Sequence, residues 1–167
     1  METNQDLLKF NDKMRERTMK MAVEVRNLLS VIVISPLDRP IVNQLIRSST
    51  SVPANYRAAT CARSDAEFLS KISIVLEETD ETKFWIAYLL RIKVLEESDT
   101  VNLRDEVNEL VHIFSTIRKK MKEKVGRGSE KGKIKRLTTK LTTQQQIYPK
   151  KGLCEGPTGR RPGKSLT

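Results

Sequence analysis

LRDEVNELVHIFSTIRKKM, residues 103–121, carries Leu103, Val107, Leu110, Phe114, Ile117 and Met121 at successive spacings of 4, 3, 4, 3 and 4. That alternation puts all six on one seam of an α-helix, the pattern of a helix that packs in a bundle or coiled coil. Basic residues from Arg118 to Lys124 suit the negative end of a helix dipole, so the spacing predicts a helix ending near residue 125.

The chain before this segment repeats the same signal. Leu7, Phe10, Met14, Thr18, Met21, Val25 and Leu28 step by three or four and predict a long amphipathic first helix. It runs into VIVISP, residues 31–36, where a β-branched run and Pro36 stop it. A lone stretch this short builds no sheet, so it reads as a connection. A second helix starts with Asp38 as N-cap and Pro40 in its first turn, and its stripe is Val42, Leu45, Ser49, Val52, Tyr56 and Ala59. Pro53 lies inside that stripe and predicts a kink. Ser64-Asp65-Ala66-Glu67 is a capping box opening a third helix with Phe68, Ile72, Val75, Thr79, Thr82, Ile86 and Leu89. A link over Glu96–Thr100 leads to the seam helix. Four helices with short connections predict an all-α, antiparallel up-down-up-down four-helix bundle over residues 1–125.

Charge divides the chain differently from its length. The net charge is +10, yet residues 126–167 hold eleven Lys/Arg and two Glu, which leaves residues 1–125 close to neutral. The segment 126–167 is rich in Gly, Pro, Thr and Lys, too poor in large apolar residues to offset its ordering entropy, and reads as a disordered basic tail. Lys131, Lys133, Lys135, Arg136, Lys150, Lys151, Arg160 and Arg161 are its candidate contacts to RNA or DNA phosphates. Tyr148 is the one aromatic among them, so base stacking is not indicated. The bland alternative is a solubilising tail without a partner. Cys61 and Cys154 form no paired or metal-ligand motif, which fits a reducing compartment. METNQDLLKF lacks a signal-peptide layout, and Phe84–Leu95 is too short to span a bilayer, so the expected location is cytoplasmic with no membrane partner.

FWIAYLLRIKVL, residues 84–95, has ten apolar residues in twelve and covers nearly the whole circumference of a helix. A four-helix bundle buries only one stripe. The surplus face, with Phe84, Trp85, Tyr88 and Ile92, is therefore a candidate homo-oligomer interface, its alternative being a merely greasy exposed surface.

Catalytic patterns are weak. Glu109-x-x-His112 has the spacing of di-iron bundle motifs, but His112 is the sole histidine and both residues fall off the seam. No Gly-rich phosphate loop follows a strand. No cofactor, metal or catalytic residue is expected, and the reading is non-enzymatic. The acidic run Glu77, Glu78, Asp80, Glu81 has a structural explanation. A hairpin of helices two and three turning near residue 62 sets Arg47 opposite Glu77 and Glu78, predicting an ion pair of Arg47 with Glu78 or Glu81. Arg47, Asn55, Glu78, Glu81 and Thr82 form the expected structural polar network.

Residues 42–90 resemble the bacterial four-helix-bundle family typified by the 23S ribosomal-RNA intervening-sequence protein. The resemblance is carried by Gln44, Leu45, Arg47, Ser48, Ser51, Ala54, Asn55, Ser64, Glu67, Phe68, Lys71, Glu78, Glu81, Thr82 and Trp85, with Ala58 departing from a Glu common in the family. It implies a homopentameric bundle without established catalytic activity, similar to the basic, nucleic-acid-binding accessory variability protein of diversity-generating retroelements. The resulting expectation is a homo-oligomeric, pentameric accessory or scaffold protein contacting nucleic acid, with a protein-interaction module lacking any nucleic-acid role as the alternative.

Overall fold

The computed structural model describes the backbone of residues 4–147 and the side chains of residues 5–127. Its order is α1 (Asn4–Ser30), α2 (Arg39–Thr60), α3 (Asp65–Arg91) and α4 (Glu97–Ile147), an all-helical four-element fold. Among the described residues, those up to Gly128 form one compact unit and those from Ser129 a second.

The predicted stripes make the core of the first unit. Met14, Met21 and Val25 of α1 are buried with Val42, Leu45, Val52 and Tyr56 of α2. Ile72, Val75, Ile86 and Leu89 of α3 meet Leu103, Val107, Leu110 and Phe114 of α4 in the same cluster. Each such side chain contributes about 1.5–3 kcal/mol by leaving water. Buried hydroxyls are satisfied locally, since Thr18 Oγ1 donates to the Met14 carbonyl at 2.9 Å and Thr79 Oγ1 to that of Val75 at 2.6 Å.

The helix ends show which sequence signals the backbone uses. Ser64 caps α3 as the box predicts, accepting from the Glu67 amide at 3.1 Å. Glu67 Oε2 reaches back one residue further than expected, to the Arg63 amide at 2.9 Å. Asp38 stands at the N-cap of α2 but makes no side-chain cap bond. Its carboxylate is held instead by the Ser35 hydroxyl at 2.7 Å, which competes with the helix amides. α2 continues through Pro53 to Thr60. The VIVIS connection keeps strand-like alternation without a strand, because Ile32 and Ile34 pack on the core while Val31 and Val33 are 81% and 97% exposed.

α4 runs past the end expected near residue 125 and continues to Ile147. No proline interrupts it before Pro149, and Gly126, Gly128 and Gly132 each cost only about 1 kcal/mol relative to alanine, which weakens a helix without stopping it. The bases at 118–124 therefore sit inside the helix rather than at its end. Residues 148–167 lie outside the described residues.

Contacts fix the levels of the helices. Leu7 and Phe10 share a hollow with Ile117 and Met121, whereas Glu24 of α1 shares one with Asn102. Lys124 Nζ meets Asp65 Oδ1 at 2.9 Å, whereas Ile86 lines a cleft with Val107. One end, here termed proximal, thus gathers the starts of α1 and α3, the finish of α2 and the segment of α4 around residues 114–127. The distal end gathers the opposite termini and the connections 31–38 and 92–96.

Candidate interaction surfaces

Arg47, on the outer side of α2, reaches across to α3. Its Nη2 lies 2.6 Å from Glu81 Oε1 and its Nη1 3.7 Å from Glu78 Oε1. Trp85 Nε1 donates to the same Glu81 oxygen at 3.0 Å. Hydrogen bonds from Trp85 and Arg47 hold the Glu81 carboxyl below its ordinary range. Glu78 behaves oppositely, because burial pushes its carboxyl up and Arg47 only partly offsets this. Its Oε2 is buried without a hydrogen-bond partner. Beneath this pair, Thr82 Oγ1 meets Ser48 Oγ at 3.1 Å. Of the expected polar network, Arg47, Glu78, Glu81 and Thr82 come together, with Trp85 and Ser48 added. Asn55 stands apart, its amide donating to the Ser51 carbonyl at 2.9 Å within α2.

The network orients an aromatic ridge. The Phe84 and Trp85 rings meet edge-on with centroids 4.9 Å apart, and Tyr88 lies 6.3 Å from Phe84 and 6.0 Å from Trp85. Trp85 is half-buried against the core, whereas Phe84 is 56% exposed and Tyr88 and Ile92 are each 38% exposed. Sequence periodicity missed that Val31, Val33 and Leu37 of the distal connection are also exposed. Their only sequence signal is the alternation of VIVIS, with outward residues that have no partner strand.

At the proximal end, α1 and α4 part around a hollow of about 630 Å³ lined by Leu7, Phe10, Tyr56, Phe68, Ile113 and Ile117, among others. Leu7 and Phe10 belong to the predicted stripe yet are 55% and 40% exposed, since the stripe outruns its partners there. Tyr56 is buried at the floor, its ring 5.5 Å from Phe114 and its hydroxyl 3.2 Å from Asn11 Oδ1. Burial pushes that hydroxyl up to about 12.

Glu109 and His112 both line this hollow. Glu109, however, is bound by Arg17 at 2.9 Å, an arrangement that the Glu-x-x-His spacing did not suggest. That guanidinium holds the Glu109 carboxyl below its ordinary range. No group of three His, Cys, Asp or Glu side chains among the described residues is placed to hold a metal ion. Nor is any described helix long and apolar enough to cross a membrane. Lys131, Lys133, Lys135 and Arg136 fall on the backbone of α4, while Lys150, Lys151, Arg160 and Arg161 lie outside the described residues.

No curated protein matches the chain. A crystal structure of a protein of unknown function from the S23 ribosomal protein family of Bacteroides thetaiotaomicron is similar, at 28% identity and a TM-score of 0.59, covering 64% of this chain and 98% of that one. The family described as 23S rRNA-intervening sequence protein matches residues 11–116, which hold the whole buried core. The chain belongs to the 23S rRNA-intervening sequence protein family.

Proposed function

We propose that this protein is a non-enzymatic, homo-oligomeric scaffold of the cytoplasm that associates through its α3 ridge and contacts RNA or DNA through its basic C-terminal segment. The observation that carries the reading is the exposed aromatic cluster of Phe84 and Tyr88, held in place by the Trp85–Glu81–Arg47 chain of hydrogen bonds. A monomer gains nothing from fixing exposed aromatic rings, whereas an interface gains pre-organised apolar area. Five copies in a ring, as the family resemblance implies, present five basic segments, and weak phosphate contacts then add by multivalency.

Light scattering after size exclusion tests association, with a discrete oligomer of about five subunits expected from the full chain and a monomer from Phe84→Glu/Tyr88→Glu. A monomeric wild-type protein sinks the oligomer. It favours the second reading, a protein-interaction module docking a different partner on the same exposed rings.

A further inference from the structure

We infer that the nucleic-acid surface is not confined to the C-terminal segment: the proximal end of the bundle, centred on Arg118, Lys119 and Lys122 of α4, is itself a phosphate-backbone docking face. This deepens the nucleic-acid reading proposed above and rests on it.

Near-neutrality of the bundle conceals a segregation of charge that only the fold makes visible. A mid-height division runs through Met14, Thr50, Glu78 and Val111. The proximal residues 5–14, 50–77 and 111–127 carry eleven Lys/Arg against six Asp/Glu, a net +5. The distal residues 15–49 and 78–110 carry ten against twelve, a net −2. Ion pairing sharpens the contrast. Four of the ten distal bases pair with distal acids, Arg17 with Glu106 and Glu109, Arg47 with Glu78 and Glu81, Lys20 with Glu24, and Arg104 with Glu97, while Arg26, Arg39, Lys83, Arg91 and Lys93 form no ion pair among the described residues. Proximally, the pairs among described residues whose partner is also proximal reduce to Lys124 with Asp65; Asp12 pairs with Arg15 at the boundary. Arg118, Lys119 and Lys122 are exposed and form no ion pair among the described residues.

A simpler use for these cations is removed by the structure. A basic run at a helix C-terminus offsets the dipole, but that effect is confined to the last turn, and α4 continues to Ile147. The row itself has no apolar centre, since on α4 from Ser115 to Arg127 every fully exposed position is polar, charged or glycine, and the apolar hollow that Ile117 and Met121 line with Leu7 and Phe10 opens beside it.

The arrangement also suits a polymer of phosphates. Arg118 and Lys122 are one helical step of four residues apart, about 6 Å along the axis, with Lys119 beside them. A row of cations along the helix axis is placed to meet successive phosphates of a nucleic-acid strand. Such contacts carry little sequence information and release counterions, so their signature is salt dependence.

The test uses the full chain in two sets of variants: Arg118→Gln/Lys119→Gln/Lys122→Gln, and Lys131→Gln/Lys133→Gln/Lys135→Gln/Arg136→Gln. Fluorescence anisotropy is recorded with a labelled DNA duplex and an RNA duplex of the same length across a salt series, and circular dichroism checks that each variant is folded. The bundle-end variant is expected to bind at least about tenfold more weakly, with a log–log salt slope shallower by about 2–3, near 0.9 for each lost contact on a duplex. Unchanged affinity and slope in the folded bundle-end variant, with loss confined to the C-terminal variant, overturns this inference and leaves the proposed function standing. A wild-type protein that binds neither duplex even at low salt overturns both. Salt-sensitive self-association without duplex binding also overturns it, assigning the basic end to the acidic end of a second copy.

Discussion

Arg17 of α1 clasps Glu106 of α4 through two parallel hydrogen bonds, Nε to Oε1 and Nη2 to Oε2, each 2.8 Å long. Both side chains are mostly buried, at 19% and 27% exposure, and the guanidinium also holds Glu109. The two residues lie 89 positions apart, so this fork ties the first helix to the last and sets their relative level. Its bonds to two carboxylates raise the Arg17 pKa, so the guanidinium stays charged at any ordinary pH.

Arg17→Ala is expected to lower stability by about 2 kcal/mol, because it removes a charge-assisted fork and leaves Glu106 half-buried without its cation. Urea unfolding at neutral pH measures it. The pH dependence has a definite sign. Glu109 titrates below its unfolded value in the folded protein, so its share is present above the unfolded carboxylate range and is lost as pH falls through the folded value. Stability of Arg17→Ala should therefore fall less steeply into acid than that of the wild type. Parallel acid limbs would mean that the pair contributes packing rather than charge.

Glu78 and Glu81 sit on the same arginine with opposite consequences. The folded pKa of Glu78 is raised by burial, so its ionised form is disfavoured by folding and protonation as pH falls relieves the cost. Its Oε2 has no hydrogen-bond partner. Glu78→Gln is expected to hold or raise stability at neutral pH by up to about 1 kcal/mol. Glu81→Gln removes a carboxylate bonded to both Arg47 and Trp85 and is expected to lower it. Thermal melts of both variants at pH 7 check the contrast; destabilisation by Glu78→Gln greater than by Glu81→Gln would refute it.

Much of the fold was written in periodicity, and the limits of that legibility are physical. Of the stripe Phe68, Ile72, Val75, Thr79, Thr82, Ile86 and Leu89, all but the half-buried Phe68 are buried as the spacing demanded, because a helix has only one face to give a four-helix core. The Arg47–Glu81 pair was readable because a hairpin fixes which residues of adjacent helices face each other. The Arg17–Glu106 fork was not, since a lone arginine on a polar face looks the same whether it meets solvent or a distant carboxylate. Leu7 and Phe10 show a second limit: spacing places a residue on a face but not at a level, and at the bundle end that face opens to water. The charge segregation escaped for the same reason, because opposing helix directions reorder the sequence in space before charges can be summed. The continuation of α4 has a third cause, as glycines weaken a helix without specifying where it stops.

The α3 terminus carries local strain that a single substitution can relieve. Lys93 has φ 59°, the only left-handed non-glycine among the described residues. The turn is used fully, with the Val94 amide returning to the Leu89 carbonyl at 2.9 Å and that of Lys93 to Leu90 at 3.0 Å. Such a helix end is the usual place of glycine, which lacks the Cβ that makes this conformation costly. Lys93→Gly should raise stability by about 1 kcal/mol. A lower melting temperature for Lys93→Gly would show that the lysine stem contributes more than the backbone strain costs.

Phe84 and Tyr88 separate association from folding. Phe84 is 56% exposed and Tyr88 38%, so neither contributes as a core residue does. Leu110, fully buried, provides the contrast, and Leu110→Ala should cost about 2–5 kcal/mol through lost burial and a cavity. Phe84→Ser/Tyr88→Ser should leave the unfolding free energy of a dilute sample within about 1 kcal/mol of wild type, the scale of changes at exposed sites. It should also abolish the concentration dependence of the melting temperature that an oligomer imposes by mass action. Wild-type melting that does not move with concentration removes the association half of the expectation. A large loss of stability in the double variant at high dilution would make the ridge part of the monomer's own packing, and the hydrogen-bonded Trp85 beneath it a core anchor rather than the base of an interface.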